Sequence, residues 1–338
     1  MLKDIRVSCS PHISERLSTR SVMIDVIIGL APAMAAAGYY FRIRALILIC
    51  TCVISSVATE WLCNIIRKKP NSLGDFSAVV TGIILALSLP PKLPVWTAVV
   101  GSVFSIAIGK MVFGGLGANI FNPAMVGRTF LTVSFGVLMT SWTVPATMDV
   151  SMPAIAQENI VHAKTQATPL AWSKLAIKNS LGADIYSEEQ FKSTFTGEVG
   201  GSLGETSVIA LLIGGLYLLI RRTVNFHIPL AVLASAFVFA TIAYWKDSYA
   251  YVQPFFHLCS GGLLLCAFFI ATDPVTAPLT RRGMWIFGIG VGTITMLIRI
   301  VGEYPEGVMF SILLMNAITP LIDRLCKRIP MGGRPCVQ

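Results

Sequence analysis

The sequence predicts an all-α protein that crosses a membrane many times. Three observations support this fold class: 54% of the 338 residues are hydrophobic, only 13% are charged, and the apolar residues form runs with the length of a spanning helix. Soluble domains carry about 25% charged residues. Because so few charges cannot cover a water-facing surface, lipid must surround much of the chain. The composition also excludes collagen, a disordered chain and a disulfide scaffold.

Apolar runs near the roughly 17–25 residues of a spanning helix predict about ten transmembrane segments. The fifth begins at Asn122-Pro123, and proline suits the first turn of a helix. Charged pairs such as Arg221-Arg222 and Arg281-Arg282 separate later segments. The predicted segments are 21–41, 44–66, 75–89, 95–113, 122–140, 205–220, 226–245, 256–271, 284–301 and 307–326.

The third and eighth segments are predicted to be interrupted. At 1.5 Å per residue, 75–89 and 256–271 are too short to cross roughly 30 Å. The third ends in Pro90-Pro91 and the eighth in Thr272-Asp273-Pro274. Irregular backbone at membrane depth is tolerated where it is buried in protein or lines a cavity.

The order of segments predicts two five-helix repeats, 21–140 and 205–326, separated by a polar external loop at 141–204. Because five is odd, the second repeat starts from the opposite side of the membrane, as in transporters with inverted repeats. The alternative is two groups of helices that are similar only in composition. The segments 1–20 and 327–338 complete the predicted organisation as cytoplasmic ends.

Positive charges predict that both termini are cytoplasmic. No cleavable signal peptide is expected, because residues 1–20 are polar and charged. With the N-terminus inside, four cations lie in short external loops, and sixteen of the 26 lie on the cytoplasmic side, as the positive-inside rule requires. The net charge of +9 does not indicate nucleic-acid binding, because the cations lie in small groups between apolar runs. The sixteen are Lys3, Arg6, Arg16, Arg20, Arg67, Lys68, Lys69, Lys110, Arg221, Arg222, Arg281, Arg282, Arg324, Lys327, Arg328 and Arg334.

The external loop contains the stretch 164–170, Lys-Thr-Gln-Ala-Thr-Pro-Leu, which resembles a flavinylation motif of Ser or Thr, then Gly, Ala and Thr. Further stretches agree in order along the chain. On these residues the sequence resembles the family that contains RnfD of the Rnf ion-translocating oxidoreductase and NqrB of the sodium-translocating NADH:quinone reductase. The stretches are Ser10-Pro11-His12, Gly74-Asp75, Asn122-Pro123-Ala124, the glycine-rich run 201–207 and Ala271-Thr272-Asp273-Pro274.

The resemblance implies a covalent cofactor on the external loop. Thr168 is expected to carry FMN through a phosphoester, installed by a separate flavin transferase. Attachment raises the effective concentration of the cofactor near its electron partner. Gln166 stands where the motif usually has Gly, and His162 where an acidic residue often precedes it. These departures bear on the efficiency of the transferase more than on the site.

A second, non-covalent riboflavin is also implied by the resemblance. We expect it at Asn119 and Asn122, whose carboxamides, one helical turn apart, suit the donor and acceptor edge of an isoalloxazine ring. The alternative for Asn122 is capping of the fifth helix. Gly204 and Glu205, at the start of the sixth segment, are predicted near the FMN because glycines and helix N-termini admit a phosphate. Their alternative is a flexible hinge with Ser202 as the cap.

Placing an acidic side chain at membrane depth costs free energy, so acidic residues there indicate a functional site. Asp273 is the sharpest candidate, because it ends a half-length helix and offers the hard oxygen ligands that Na⁺ requires. Its alternative is a cap at the cytoplasmic interface, and Arg128 and Arg299 are expected to pair with nearby acids. His12 and His257 lack partners at metal-ligand spacing, so a metal site is not predicted. The chain has no Walker loop, Rossmann fingerprint or Ser/His/Asp pattern.

The resemblance implies a flavoprotein component of an Rnf-type complex in a bacterial or archaeal cytoplasmic membrane. Its expected partners are RnfA, RnfB, RnfC, RnfE and RnfG, and the whole complex couples electron transfer between ferredoxin and NAD⁺ to movement of Na⁺ or H⁺. The alternatives are a solute transporter or channel without a redox cofactor, and a purely structural anchor.

Overall fold

The computed structural model describes residues 18–69, 72–142, 170, 174, 195, 197, 200–247, 251–302, 304 and 306–327. The regular structure within these ranges is helical. The α-helices are α1 Thr19–Phe41, α2 Ile43–Ile66, α3 Ser77–Leu87, α4 Val95–Ile106, α5 Pro123–Ser134, α6 Gly136–Met139, α7 Val208–Ile220, α8 His227–Lys246, α9 Pro254–Cys259, α10 Leu263–Leu265, α11 Arg281–Ile300 and α12 Val308–Leu325.

Five of these helices, α1, α2, α8, α11 and α12, are long and apolar enough to cross a membrane. Shorter apolar helices lie at Ser77–Leu87, Val95–Met111 and Val208–Ile220. Many large apolar side chains on the long helices are exposed in the isolated chain, including Ile54, Ile66 and Trp245. These observations confirm a polytopic, all-α membrane protein. The count of ten spans, the inverted repeat and the domain boundaries stay predictions.

The third and eighth segments have short or broken helices, as their length predicts. Helix α3 has 11 residues. The Asp75 carboxylate accepts hydrogen bonds from the backbone N–H and hydroxyl of Ser77 at the start of that helix. The eighth segment breaks between α9 and α10, where Gly261 has φ +68°, and continues into a π-helix at Cys266–Ile270. A positive φ favours glycine.

Several boundaries differ from the sequence prediction, among them those of the fifth and sixth segments. The fifth segment is divided at Phe135 into α5 and α6. The sixth begins at Val208, three residues later than predicted, because the Ser207 hydroxyl caps it by accepting from the N–H of Ala210. Ser202 is therefore not the cap.

Lys110 corrects the count of cytoplasmic loop cations. It lies in a π-helix, Ala107–Met111, that continues α4, and is 1% exposed. A cation in this position is part of the protein interior, so it contributes no free charge to a loop.

The core brings the short segments to the centre of the molecule. Helix α3 and residues 263–271 are almost entirely buried. Around them α2 packs on α3 and α4, α8 packs on α11, and α1 packs on α7. Helices α1 and α7 cross at Gly29 and Gly214, where a Cβ on Gly214 would collide with the carbonyl oxygen of Gly29. The interrupted backbone is therefore enclosed by longer helices, as the sequence predicts.

Candidate functional site

Three predicted site residues, Asn119, Asn122 and Asp273, line one cavity, here called the asparagine cavity. Its volume is about 60 Å³, room for a few water molecules. Its walls come from α1, α3, the π-helix at Ala107–Met111, the start of α5 and the end of the eighth segment. The other lining residues are Val22, Met23, Val26, Ser77, Val80, Thr81, Ile84, Lys110, Leu116, Pro123, Ala124, Thr223, Val224, Phe268, Phe269, Thr272 and Pro274.

The two asparagines play different roles at this cavity. Asn122 is the N-cap of α5, and its Oδ1 accepts from the N–H groups of Ala124 at 3.1 Å and Met125 at 3.4 Å. Its Nδ2 donates to the Ile270 carbonyl at 3.3 Å. The predicted alternative of capping is therefore confirmed for Asn122.

Asn119 lies in the loop before α5, so the prediction of two carboxamides one turn apart on a helix is wrong. Proline at position 123 begins the helix and leaves the preceding residues extended or turned. Asn119 is 6% exposed. Its Nδ2 donates to the Phe121 carbonyl, and its Oδ1 has no hydrogen-bond partner among the described residues. A buried acceptor in this state fits a ligand N–H group.

Asp273 is held in a turn that follows the π-helix. Its Oδ1 accepts from the N–H of Val275 at 3.3 Å, and its Oδ2 accepts from the Thr276 hydroxyl at 3.0 Å. Burial raises the pKa of Asp273, although both hydrogen bonds oppose the change. The residue thus organises a turn and lines the cavity. The alternative of a helix cap is wrong, because the next helix begins at Arg281 and is capped by Thr280.

Lys110 is a cavity-lining residue that the sequence reasoning missed. Its Nζ contacts Glu60 Oε2 at 2.7 Å and the Ser77 hydroxyl at 2.6 Å. Glu60 also accepts from the Ser72 hydroxyl, so the ion pair is satisfied inside the protein. A single lysine inside the apolar stretch 103–113 was the available clue.

A second group of buried charges contains Arg128, Glu205, Arg299 and Glu306, here called the Arg–Glu cluster. Arg128 Nη2 lies 2.6 Å from Glu306 Oε2 and 3.3 Å from Glu205 Oε1. Arg299 donates to the carbonyl oxygens of His257 at 2.7 Å and Ser260 at 3.0 Å. The expected pairing of Arg128 with an acid is confirmed, whereas Arg299 holds the broken backbone of the eighth segment.

The two carboxyl groups of the Arg–Glu cluster differ in acidity. Burial, followed by the negative charge of Glu306, raises the pKa of Glu205 to about 8. Burial also opposes ionisation of Glu306, but the combined charges of Arg128 and Arg299 lower its pKa. The cluster therefore favours one ionised and one protonated carboxyl group near neutral pH.

Gly204 is a packing residue. Its N–H donates to the Leu87 carbonyl at 2.6 Å, and the neighbouring Leu203 N–H donates to the Leu89 carbonyl at 3.1 Å. A Cβ at Gly204 would lie 2.7 Å from the Cβ of Leu87. The loop therefore docks on the end of α3, and the Gly204 N–H is not free to bind a phosphate.

Residues 6–332 match the family described as NQR2, RnfD, RnfE. The chain belongs to that family. The resemblance predicted from the motifs is thus confirmed over nearly the whole sequence.

Several relatives are similar over almost their entire length. The D subunit of the Na⁺-translocating ferredoxin:NAD⁺ oxidoreductase complex of Acetobacterium woodii is 46% identical, over 96% of this chain and 94% of the relative. The D subunit of the proton-translocating ferredoxin:NAD⁺ oxidoreductase complex of Clostridium ljungdahlii is 41% identical over 97% and 96%. The D subunit of the ion-translocating oxidoreductase complex of Stutzerimonas stutzeri is 39% identical over 95% and 96%.

Thr168, the family's expected FMN attachment residue, lies outside the described residues, but two residues that follow it are described. Leu170 is 5% exposed. A Cβ at Gly261 would lie 2.5 Å from Leu170 Cδ1, 2.9 Å from Arg299 Nη2 and 3.3 Å from Glu306 Oε1. Lys174 Nζ donates to the Tyr304 carbonyl at 2.6 Å. Leu170 therefore lies directly beside the Arg–Glu cluster.

Proposed function

We propose that the chain is a membrane flavoprotein component of an Rnf-type complex, which couples electron transfer between ferredoxin and NAD⁺ to translocation of Na⁺ or H⁺. The relatives bearing these names align with nearly the whole chain. The chain is a part of the oxidoreductase and does not catalyse the reaction alone. Flavins supply the electron-transfer chemistry, and the protein sets their distance, solvation and potential.

The observation that carries this proposal is the convergence of Asn119, Asn122, Lys110 and Asp273 on the asparagine cavity. A simple structural anchor has no need for a buried amide oxygen that lacks a partner in the described part of the chain and lines the same cavity as a buried ammonium group. The same convergence gives the cavity hydrogen-bonding groups for a cofactor and an acid for an ion.

Riboflavin would be held at Asn119, whose Oδ1 accepts no hydrogen bond from the residues that the structure describes and suits the imide N–H of an isoalloxazine ring. Asn122 would support the site indirectly by fixing the start of α5 and its contact with Ile270. The cavity volume of about 60 Å³ is smaller than a three-ring system. Binding therefore requires the apolar lining, such as Leu116 and Phe269, to move aside.

The ion path would include Asp273, and Thr272 and Thr223 line the same cavity. Carboxylate and hydroxyl oxygens are hard ligands that suit Na⁺. A carboxyl group that is easily protonated also suits H⁺. Asp273 therefore serves either ion under this proposal.

We also propose the topology and partners implied by the family: ten spans in two inverted repeats, cytoplasmic termini and an external loop bearing Thr168. The neighbours would be RnfA, RnfB, RnfC, RnfE and RnfG. A flavin transferase would attach FMN at Thr168, with Glu205 near the bound nucleotide.

Covalent flavin distinguishes this function from a cofactor-free transporter or channel. The full chain is produced with its flavin transferase, denatured, and measured by intact mass and in-gel flavin fluorescence. We expect one FMN in the wild type and in the control Ser180→Ala, which removes a hydroxyl group of the same predicted loop outside the motif, and none in Thr168→Ala. A colourless wild-type chain of unmodified mass would contradict the flavoprotein proposal.

A structural-anchor role makes a different prediction for the assembled complex. Ferredoxin-dependent NAD⁺ reduction should fall to background in Thr168→Ala, while Ser180→Ala retains it. Unchanged electron flow in Thr168→Ala would favour the anchor.

A further inference from the structure

An apolar groove, here called the α8–α11 groove, lies between those two helices on the outside of the molecule. Its volume is about 350 Å³, within the roughly 300–1,000 Å³ of sites that bind small molecules. Ala231 lines it at 0% exposure, whereas the lining residues Val238 and Ile242 are 56% and 61% exposed. The groove is therefore open on a surface that faces lipid in a membrane-spanning chain.

Glycines of α11 bring the two helices together at the groove. A Cβ at Gly288 would lie 2.6 Å from the Cβ of Ala231, and a Cβ at Gly292 would lie 3.2 Å from the backbone N of Ala236. Because later residues of α11 meet later residues of α8, the helices run parallel. Both helices therefore begin at the same end of the groove.

Two arginines lie at this end of the groove. The lining residues Trp285, Ile289 and Thr293 recur every four residues of α11, so they share one face of that helix. Arg281 stands four residues before Trp285 and continues the same face to the start of the helix. Arg281 and Arg282 are exposed, and neither forms an ion pair with a residue that the structure describes.

The surroundings of these arginines keep this end positive. Asp323 is a nearby acid, and its Oδ1 accepts from the N–H of Leu279 at 3.1 Å, so a single carboxylate stands beside Arg281 and Arg282. The N-termini of α8 and α11 add partial positive charge. At the start of α8, Phe226 supplies no side-chain cap for the first N–H groups.

The length of the groove matches one leaflet of a bilayer. Its lining on α8 extends from Ala231 to Ile242, about 16 Å at the rise of an α-helix. Half of a hydrocarbon core is about 15 Å. The rings of Trp285 and His227 lie 6.1 Å apart at the positive end, and tryptophan is typical of the membrane interface. An occupant with its polar group at Arg281 would extend an apolar part to the bilayer centre.

We propose that the α8–α11 groove binds an anionic phospholipid, with an acyl chain along the groove and the phosphate group at Arg281. Guanidinium groups bind phosphate oxygens through charge-assisted hydrogen bonds, and basic pockets between transmembrane helices bind anionic headgroups. A partner's transmembrane helix would fill the apolar groove but would have no use for its positive end. The inference goes beyond the proposed function and requires only the membrane-spanning fold.

Lipid binding to the full chain tests the proposal. The delipidated chain in detergent is titrated with phosphatidylglycerol or phosphatidylcholine carrying identical acyl chains, and bound lipid is counted by native mass spectrometry. We expect phosphatidylglycerol to bind several-fold more tightly. Glycerol 3-phosphate, which has the phosphate without the acyl chains, should not displace it. Equal affinity for the two lipids, or displacement by glycerol 3-phosphate, would overturn the proposal.

A charge variant tests the headgroup contact. Arg281→Gln should reduce the preference for phosphatidylglycerol several-fold, because it removes the guanidinium group on the groove face of α11. Arg44→Gln, at an exposed position near the start of α2, makes the same change in net charge and should leave the preference unchanged. A preference that persists in Arg281→Gln would contradict the proposed contact.

A volume variant tests the acyl-chain contact with every charge in place. Ala234 is an exposed lining residue, so Ala234→Phe should fill the groove and weaken binding of both lipids several-fold. Phe237→Trp adds volume at an exposed position of α8 outside the lining and should weaken neither. Either Arg281→Gln or Ala234→Phe provides a test if the other does not fold. Unchanged lipid binding in Ala234→Phe would show that the lipid binds elsewhere.

The assembled complex distinguishes a bound lipid from a partner's helix. Native mass spectrometry of the complex should find phosphatidylglycerol retained in the wild type and reduced in Arg281→Gln, with unchanged assembly in Ala234→Phe. A complex that excludes the lipid and fails to assemble with Ala234→Phe would identify the groove as a subunit interface and overturn the proposal.

Discussion

Buried charges are the residue-scale feature that distinguishes this chain from a simple bundle of apolar helices. Lys110 and Glu60 are 1% and 0% exposed and lie 2.7 Å apart at their charged atoms. An ion pair in this environment gains little over a well-packed apolar pair, but an unpaired member is strongly destabilising. The pair is therefore expected to behave as a unit.

Single and double substitutions test this coupling. Glu60→Gln and Lys110→Met should each lower the free energy of unfolding by about 3–5 kcal/mol, because each leaves one buried charge unpaired. The double variant should lose less than the sum. Denaturant unfolding in detergent measures the free energy of unfolding of the full-length wild type, the two single variants and the double variant. Lys69→Met, at an exposed position, is the control. Additive losses would show that the two residues act independently.

Glu205 predicts a pH dependence of stability. Its pKa is raised from 4.5 to about 8 in the folded chain, so the folded state binds more protons than the unfolded state between these values. Stability should therefore fall as pH rises through this window, by at most about 1.4 kcal/mol per pH unit. Glu306 has a lowered pKa. Its contribution to stability should therefore increase as pH rises, in a lower pH range than that of Glu205.

Melting midpoints of the full chain between pH 5 and pH 9 measure this effect. Glu205→Gln, which mimics the protonated form, should flatten the decline while keeping the hydrogen-bonding shape. Asp247→Asn, on an exposed loop, is the control. A decline of the same slope in Glu205→Gln would assign the pH dependence to other groups.

At the scale of elements, the interrupted segments were predictable and their internal geometry was not. The short apolar runs at 75–89 and 256–271, each followed by proline, predict half-length helices, and α3 and the broken eighth segment confirm them. The π-helices at Ala107–Met111 and Cys266–Ile270 have no such clue. One extra residue in a turn changes the direction of side chains without changing composition.

The crossing of α1 and α7 provides an element-scale prediction. Because the backbones meet at Gly29 and Gly214, Gly214→Ala forces the helices apart and should lower the melting midpoint clearly. Gly38→Ala, on the same α1, meets no atom within 4 Å. It should leave stability unchanged or raise it by up to about 1 kcal/mol, the helix-propensity difference. Equal effects of the two substitutions would contradict a close crossing.

At the scale of the whole molecule, the sequence identified most members of each site but not their grouping. Asn122 and Ile270 are far apart in the chain, yet their side chain and carbonyl oxygen are hydrogen-bonded. Asp273 was predicted as an ion ligand and Asn119 as a flavin ligand, and both line one cavity. The hydrophobic pattern predicts where the helices are. It does not predict which distant residues meet, because that depends on which helices pack together.

Under the proposed function, Asp273 and Asn119 line one cavity, so the ion and electron chemistry should be close together but depend on separate groups. Asp273→Asn removes the titratable charge, while the amide oxygen can still accept from the N–H of Val275. Electron transfer depends on flavins and distances that this substitution leaves alone. Ion binding depends on the lost charge.

We therefore expect Asp273→Asn to lower the number of ions moved per electron several-fold. The assembled complex in vesicles is given reduced ferredoxin and NAD⁺, and NADH formation is followed together with Na⁺ uptake or internal pH. Asp247→Asn should leave both rates unchanged. Equal loss of electron transfer and ion movement in Asp273→Asn would indicate that the residue maintains the turn or the flavin site. Loss of ion movement alone would place the carboxyl group on the ion path.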